Sequence, residues 1–186
     1  MAKILGKRTV YEGWSTFSLV RFRLDDGAEV ERCVEDHGDA ACVLPYDPER
    51  RVALLVRQFR APVAFRGEPC FPEPPAGLVD DDETPEAAAI REAEEETGLT
   101  LRSLEPLGRF WSSPGSTTET SWLYLAEYAS ADRTGEGGGV DEHEDVEMLE
   151  LPLAELAARA SRGDLQDLKL AVLVLSLMQR RPALFS

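Results

Sequence analysis

Between Gly77 and Leu99 the chain reads GLVDDDETPEAAAIREAEEETGL, and no other stretch restricts the fold as tightly. Thr84-Pro85-Glu86 is a helix start: threonine can cap the first free N–H groups, proline suits the first helical position, and glutamate meets the positive end of the helix dipole. Gly98 supplies the stop. The spacing predicts a helix from Thr84 to about Thr97. Within it Glu92, Glu95 and Glu96 fall at i, i+3 and i+4 and share one face. On a bare helix such like charges repel by roughly 0.2–0.5 kcal/mol per pair, and a cation reverses that sign. Carboxylate oxygens suit magnesium or manganese, and magnesium is usually held by few protein carboxylates together with substrate phosphates and water. The plainer reading of the same residues is a solvated acidic helix face.

The distribution of charge bears on that choice. The 186 residues carry a formal charge of −15. Residues 73–98 hold ten acids against one arginine, and residues 135–150 hold seven acids and no base, so the rest of the chain is close to neutral. Two concentrated clusters point to something that offsets them, most simply divalent cations. A pI near 4.5 excludes a general electrostatic pull toward nucleic acid or anionic membrane. Cys33, Cys42 and Cys70 have neither the even count of a disulfide framework nor CxxC spacing, which fits a reducing compartment. The first ten residues lack the apolar core of a signal peptide, and the apolar run from Leu168 to Met178 is too short to span a bilayer. The expectation is a soluble, cytoplasmic protein with no nucleic-acid or membrane partner.

Alternation of Val20, Phe22 and Leu24 with Arg21 and Arg23 predicts a half-buried strand over 17–24, and a turn at Asp25-Asp26-Gly27 returns it over 28–34, giving a hairpin-like element over 10–36. Further strands are expected at 40–44, 52–59, 107–111, 122–128 and 146–151, with helices at 153–162 and 165–180. The prolines at 62, 72, 74 and 75 predict an irregular loop over 61–76. Strands interleaved with three helices argue an α/β domain in which helices cover a mixed sheet.

Reading on from Gly77, five residues lead to Glu83, seven more to Arg91-Glu92, and then Ala93, Glu95-Glu96, Gly98 and Leu99 follow. This resembles the 23-residue signature of the Nudix hydrolase family at each of its nine constrained positions, a far more specific match than a lone glycine motif. The resemblance implies an α/β/α sandwich with a mixed sheet. It also implies a loop-helix-loop that holds a divalent metal, magnesium with manganese as the alternative, against a diphosphate. By position, Glu92, Glu95 and Glu96 are the implied metal ligands, joined by the backbone carbonyl of Ala76, with Glu95 and Glu96 also implied in catalysis. Gly77 and Leu78 are implied to line the substrate. Glu83 and Arg91 are expected to pair and brace the loop on the helix, and Glu94 to face solvent.

The likeness extends over Val56-Arg57-Gln58-Phe59-Arg60, Glu73-Pro74-Pro75-Ala76-Gly77, Ser113-Pro114-Gly115 with Glu119, and Gly137-Gly138-Gly139-Val140 with Glu144-Asp145-Val146-Glu147. These are similar to the nucleoside-diphosphate-sugar branch, which includes ADP-ribose and GDP-mannose pyrophosphatases. The implied activity is cleavage of the diphosphate of such a sugar into a nucleoside monophosphate and a sugar phosphate. In that branch a small N-terminal antiparallel β element is exchanged across a homodimer, so residues 1–38 are expected as that element and 39–186 as the hydrolase domain. Glu144 is implied as a further metal ligand or general base, with Glu142 or Asp141 able to take its place. Arg60 is expected on the diphosphate or sugar, Glu119 at the sugar end, and Lys169 and Arg32 as further substrate contacts. Trp14 is expected in core or interface packing rather than on a base. The contrasting reading is a Nudix-fold binding module without hydrolysis, which an intact signature argues against.

Overall fold

Two apolar runs, ACVLPY after Ala40 and VALLV from Val52, set the centre of the molecule, because strands buried on both faces read as continuous rather than alternating hydrophobic sequence. The computed structural model describes residues 1–139 and 146–186. In chain order its elements are β1 (Lys3–Glu12), β2 (Thr16–Arg23), β3 (Glu29–Asp36), β4 (Ala40–Asp47), β5 (Val52–Arg57), α1 (Ala61–Phe65), β6 (Ala76–Leu78), α2 (Pro85–Thr97), β7 (Glu105–Trp111), β8 (Thr120–Glu127), β9 (Glu147–Pro152), α3 (Leu153–Arg162) and α4 (Leu168–Arg180). The chain divides into two compact units, Met1–Ala40 with Arg109–Ser121, and Ala41–Gly108 with Trp122–Ser186.

In the second unit, successive residues of β4 and β8 face opposite ways. Cys42, Leu44, Tyr46, Leu123 and Leu125 pack with Leu153, Leu156, Leu170, Leu173 and Leu177 of α3 and α4. Ala41, Val43, Tyr124 and Ala126 pack with Ala88, Ala89 and Ala93 of α2. Alanines on the inner face let α2 lie close to the strands. The sheet runs β7-β8-β4-β5-β9, with β6 added on β4, and β5 is antiparallel to both β4 and β9. This is the mixed α/β sandwich that the resemblance implies.

Helix α2 forms where the local signals put it. The Thr84 hydroxyl accepts from the Ala87 N–H at 3.2 Å, Pro85 opens the helix, and Gly98 closes it with φ 69°. Helix α4 begins at Leu168, three residues later than its apolar pattern predicts, because the buried Asp167 carboxylate caps it by accepting from the Leu170 N–H at 2.7 Å. The stretch expected as loop over 61–76 contains the one-turn helix α1, whose first turn tolerates Pro62.

The first unit holds a three-stranded antiparallel sheet in the order β1-β2-β3. The returning pair is in continuous register from Thr16 opposite Asp36 to Arg23 opposite Glu29, as the alternation suggests. Most of strand β1 lies before the expected hairpin. It is exposed along most of its length, and its register slips between Ile4 and Gly6 and again between Thr9 and Tyr11, so no burial period marks it in sequence. Among the described residues no helix is long and apolar enough to cross a membrane.

Candidate active site

Arg91 is the hub of the signature segment. Its Nε donates to Glu83 Oε1 at 3.2 Å and its Nη2 to Glu83 Oε2 at 2.9 Å and to the Leu78 carbonyl at 3.0 Å. Its Nη1 donates to Glu92 Oε1 at 2.6 Å and Glu95 Oε2 at 3.1 Å. One guanidinium therefore ties the loop before α2 to the carboxylate face of α2, a bidentate use that lysine could not reproduce. The expected Glu83–Arg91 brace is present, and Glu94 is exposed. Leu78, expected at the substrate, serves Arg91 through its carbonyl. Gly77 has a steric reason: a Cβ built there would fall on the Glu92 carboxylate.

Hydrogen bonding to Arg91 holds the Glu83 carboxyl below its ordinary value of 4.5. A depressed folded pKa gives stability that is full above the unfolded value and is lost as pH falls through the folded one. Glu83→Gln should therefore lower Tm by about 2–4 °C at pH 7, with the gap to the wild type closing below about pH 4. A gap that stays constant across an acid titration of Tm would remove the charge of Glu83 from this role.

Glu96 is oriented differently from its neighbours. It is 3% exposed, its Oε1 accepts from Gln58 Nε2 at 2.9 Å and its Oε2 from the Ala76 N–H at 3.1 Å. Burial, reinforced by the charge of Glu92, pushes its carboxyl up to about 8 against the two donors that favour the charged form. Just past β5, Arg60 forks onto buried Glu73, with Nε 3.1 Å from both carboxylate oxygens and Nη2 at 3.0 Å. Glu73 is itself fixed by paired backbone bonds with Val56. At the start of α4, Lys169 Nζ lies 2.9 Å from Asp167 Oδ2. Burial works against the charge of both Arg60 and Lys169, and the paired carboxylates outweigh it, so both pKa values are raised.

The second unit thus holds Arg60, Ala76, Gly77, Leu78, Glu92, Glu95, Glu96 and Lys169 among the residues expected at the site. It adds Gln58, Glu73 and Asp167, which sequence reasoning did not assign. Gln58 and Glu73 stand inside stretches already marked by the resemblance, and Asp167 carries an ordinary capping signal. Arg32 and Glu119 belong to the first unit. There Arg32 is exposed and donates to the Glu31 carbonyl, lining a groove with Phe22, Trp111 and Ser116. Glu119 accepts from Ser112 at 2.6 Å and Ser121 at 3.0 Å and lies 3.1 Å from His37 Nε2. Trp14, expected in packing, is 75% exposed and stacks on His37 with ring centroids 4.8 Å apart. Glu144, with its alternatives Asp141 and Glu142, lies outside the described residues.

Among the described residues no three acidic, imidazole or thiol side chains converge on a metal position as they stand. Arg91 draws Glu92 and Glu95 to itself while Glu96 faces Gln58 and Ala76. The donor set nonetheless fits a hard divalent cation. It is all oxygen, it includes a carboxylate buried beside a like charge, and Gly77 leaves the space that Glu92 needs.

The chain matches the NUDIX domain family model over residues 36–170. It is 41% identical over 170 residues to the GDP-mannose pyrophosphatase of Cronobacter sakazakii, spanning 89% of this chain and 86% of that protein. To the GDP-mannose pyrophosphatase of Klebsiella pneumoniae it is 37% identical over 182 residues, spanning 95% and 90%. A solved structure of an ADP compounds hydrolase shares the fold, with a TM-score of 0.78 over 98% of this chain and 95% of that one at 19% identity.

Proposed function

The chain belongs to the Nudix hydrolase family, and from that premise we propose that it is a magnesium-dependent pyrophosphatase of the GDP-mannose type, yielding a nucleoside monophosphate and a sugar phosphate. The observation that carries the reading is the buried Glu96, fixed by Gln58 and the Ala76 N–H on the same helix face as Glu92 and Glu95. The kinship with proteins named GDP-mannose pyrophosphatase over most of their length supports the substrate class.

Glu92, Glu95, Glu96 and the Ala76 carbonyl are the residues that would hold the metal, with Glu144 as a further ligand or general base. Bound there, a divalent cation supplies charge neutralisation on the diphosphate and a more acidic water. The rest falls to the chain itself. Arg91 locks the loop after Gly77 to α2, so loop and helix are fixed to each other before substrate arrives. Gln58 and the Ala76 N–H keep the Glu96 carboxylate in one orientation. Arg60 presents a guanidinium suited to paired phosphate oxygens, and Lys169 adds a point charge. Gly77 and Leu78 supply backbone beside the substrate. The roles of Arg32 and Glu119 as substrate contacts rest on the resemblance. We assign the N-terminal element, residues 1–38, to a homodimer contact, supported by the exposed Ile4, Val10, Tyr11 and Trp14. Free Cys33, Cys42 and Cys70 suit the cytoplasm.

Assay of GDP-mannose, ADP-ribose, ADP-glucose and UDP-glucose with magnesium or manganese tests the substrate assignment. GDP-mannose is expected to give the highest kcat/KM, and a clear preference for an adenosine or uridine sugar would overturn the GDP-mannose assignment while leaving the reaction class intact.

A further inference from the structure

Lys169 stands where a helix least favours a cation. It is the second residue of the thirteen-residue α4, at the positive end of the dipole. Its neighbour Leu168 is 65% exposed, so open solvent lies one residue away, yet the Lys169 side chain keeps only 28% of its exposure. Burying and ordering a long charged side chain is costly. What holds it is Asp167, itself 8% exposed, with both carboxylate oxygens in use: Oδ1 takes the Leu170 N–H and Oδ2 takes the ammonium. Leu170, the residue after Lys169, packs in one core cluster with Cys42 of β4, and β4 pairs with β5, whose Val56 holds Glu73 by paired backbone bonds.

Resting on the functional reading above, we propose that Asp167 is a positioning residue, whose carboxylate caps α4 and at the same time presets the Lys169 ammonium as a cation for a substrate phosphate. A cap alone needs one oxygen and no charge. The second oxygen and its charge go to Lys169, which is thereby held at the helix end where the dipole opposes its charge.

Asp167→Asn separates the two roles, because asparagine caps as well as aspartate while its amide cannot counter the ammonium. With GDP-mannose and magnesium, KM should rise about tenfold with kcat within about twofold, the pattern of lost binding shared by ground and transition states. Tm should move little. Asp167→Ser, which also keeps a capping oxygen, should behave the same way. Combined with Lys169→Met, Asp167→Asn should add nothing to the KM of Lys169→Met alone. An unchanged KM in both capping variants, or a penalty that persists on top of Lys169→Met, overturns the proposal. A second readout is independent of turnover. The lysines of the chain are Lys3, Lys7 and Lys169, and the first two are exposed, so peptide mass spectrometry after limited amine modification can follow Lys169 against them. Its labelling should increase several-fold in Asp167→Asn, and unchanged labelling also overturns the proposal. If the wild type cleaves none of the sugars, the functional reading fails, and the labelling result still decides whether Asp167 holds Lys169.

Discussion

Glu96→Gln should lower the turnover of GDP-mannose by on the order of 10²–10⁴-fold while the protein stays folded. Glutamine keeps the volume of the side chain and loses the charge. In a site 3% exposed, no water can stand in for the missing carboxylate oxygen. The amide oxygen can take one of the two bonds now made by Gln58 and the Ala76 N–H, and the amide nitrogen then faces the other donor, which costs stability. Against that, burial already pushes the Glu96 carboxyl up to about 8, so a neutral group relieves a buried charge. A folded pKa raised above the ordinary 4.5 means that metal-free wild-type protein loses stability as pH rises toward 8, a loss the glutamine variant avoids. The two effects oppose each other, and Tm without metal is expected within a few degrees of the wild type. Turnover within a factor of a few of the wild type would remove Glu96 from the catalytic machinery.

Gly77→Ala should be nearly as damaging to turnover, by a different route. The backbone at Gly77 has no left-handed φ, so alanine is conformationally acceptable there. The added Cβ falls on the Glu92 carboxylate, the far end of a flexible side chain, which can rotate away at modest cost in stability. Rotation breaks the 2.6 Å bond to Arg91 and moves one of the proposed metal ligands. Misplacement of a reacting group by about 1 Å can cost on the order of 10²-fold, and that is the loss expected in kcat, together with a higher magnesium concentration at half-maximal rate. A variant with wild-type kcat and magnesium dependence would show that Glu92 is not needed where it stands.

Helix α2 was legible to within a residue because its signals are local: Thr84, Pro85 and Gly98 act on their own neighbours. The face bearing Glu92, Glu95 and Glu96 follows from helical period alone, and the Glu83–Arg91 brace from pairing opposite charges in one short segment. Strand β1 was not legible, since an exposed strand with two register slips leaves no period to read. The later start of α4 depends on Asp167 taking the capping role over the apolar pattern. The remaining site residues needed the fold. Gln58 meets Glu96 across 38 positions of sequence, and Glu73 meets Arg60 only because β5 holds Glu73 by its backbone through Val56. Neither contact has a spacing that marks it. The acidic excess divides in the same way: Glu73, Glu83, Glu92 and Glu95 are engaged by Arg60 and Arg91, while Asp80, Asp81 and Asp82 are exposed. Of the acids in residues 73–98, Glu96 alone combines deep burial with no arginine partner among its hydrogen bonds.

Loaded with a divalent cation, this carboxylate face should split a sugar nucleotide at its diphosphate. Separation of the products after incubating the protein with GDP-mannose tests it most directly. With magnesium, GMP and mannose 1-phosphate are expected in equal amounts, and with a chelator in place of magnesium GDP-mannose should remain intact. Recovery of uncleaved sugar nucleotide in the presence of magnesium, or equal cleavage in the chelator, would contradict it.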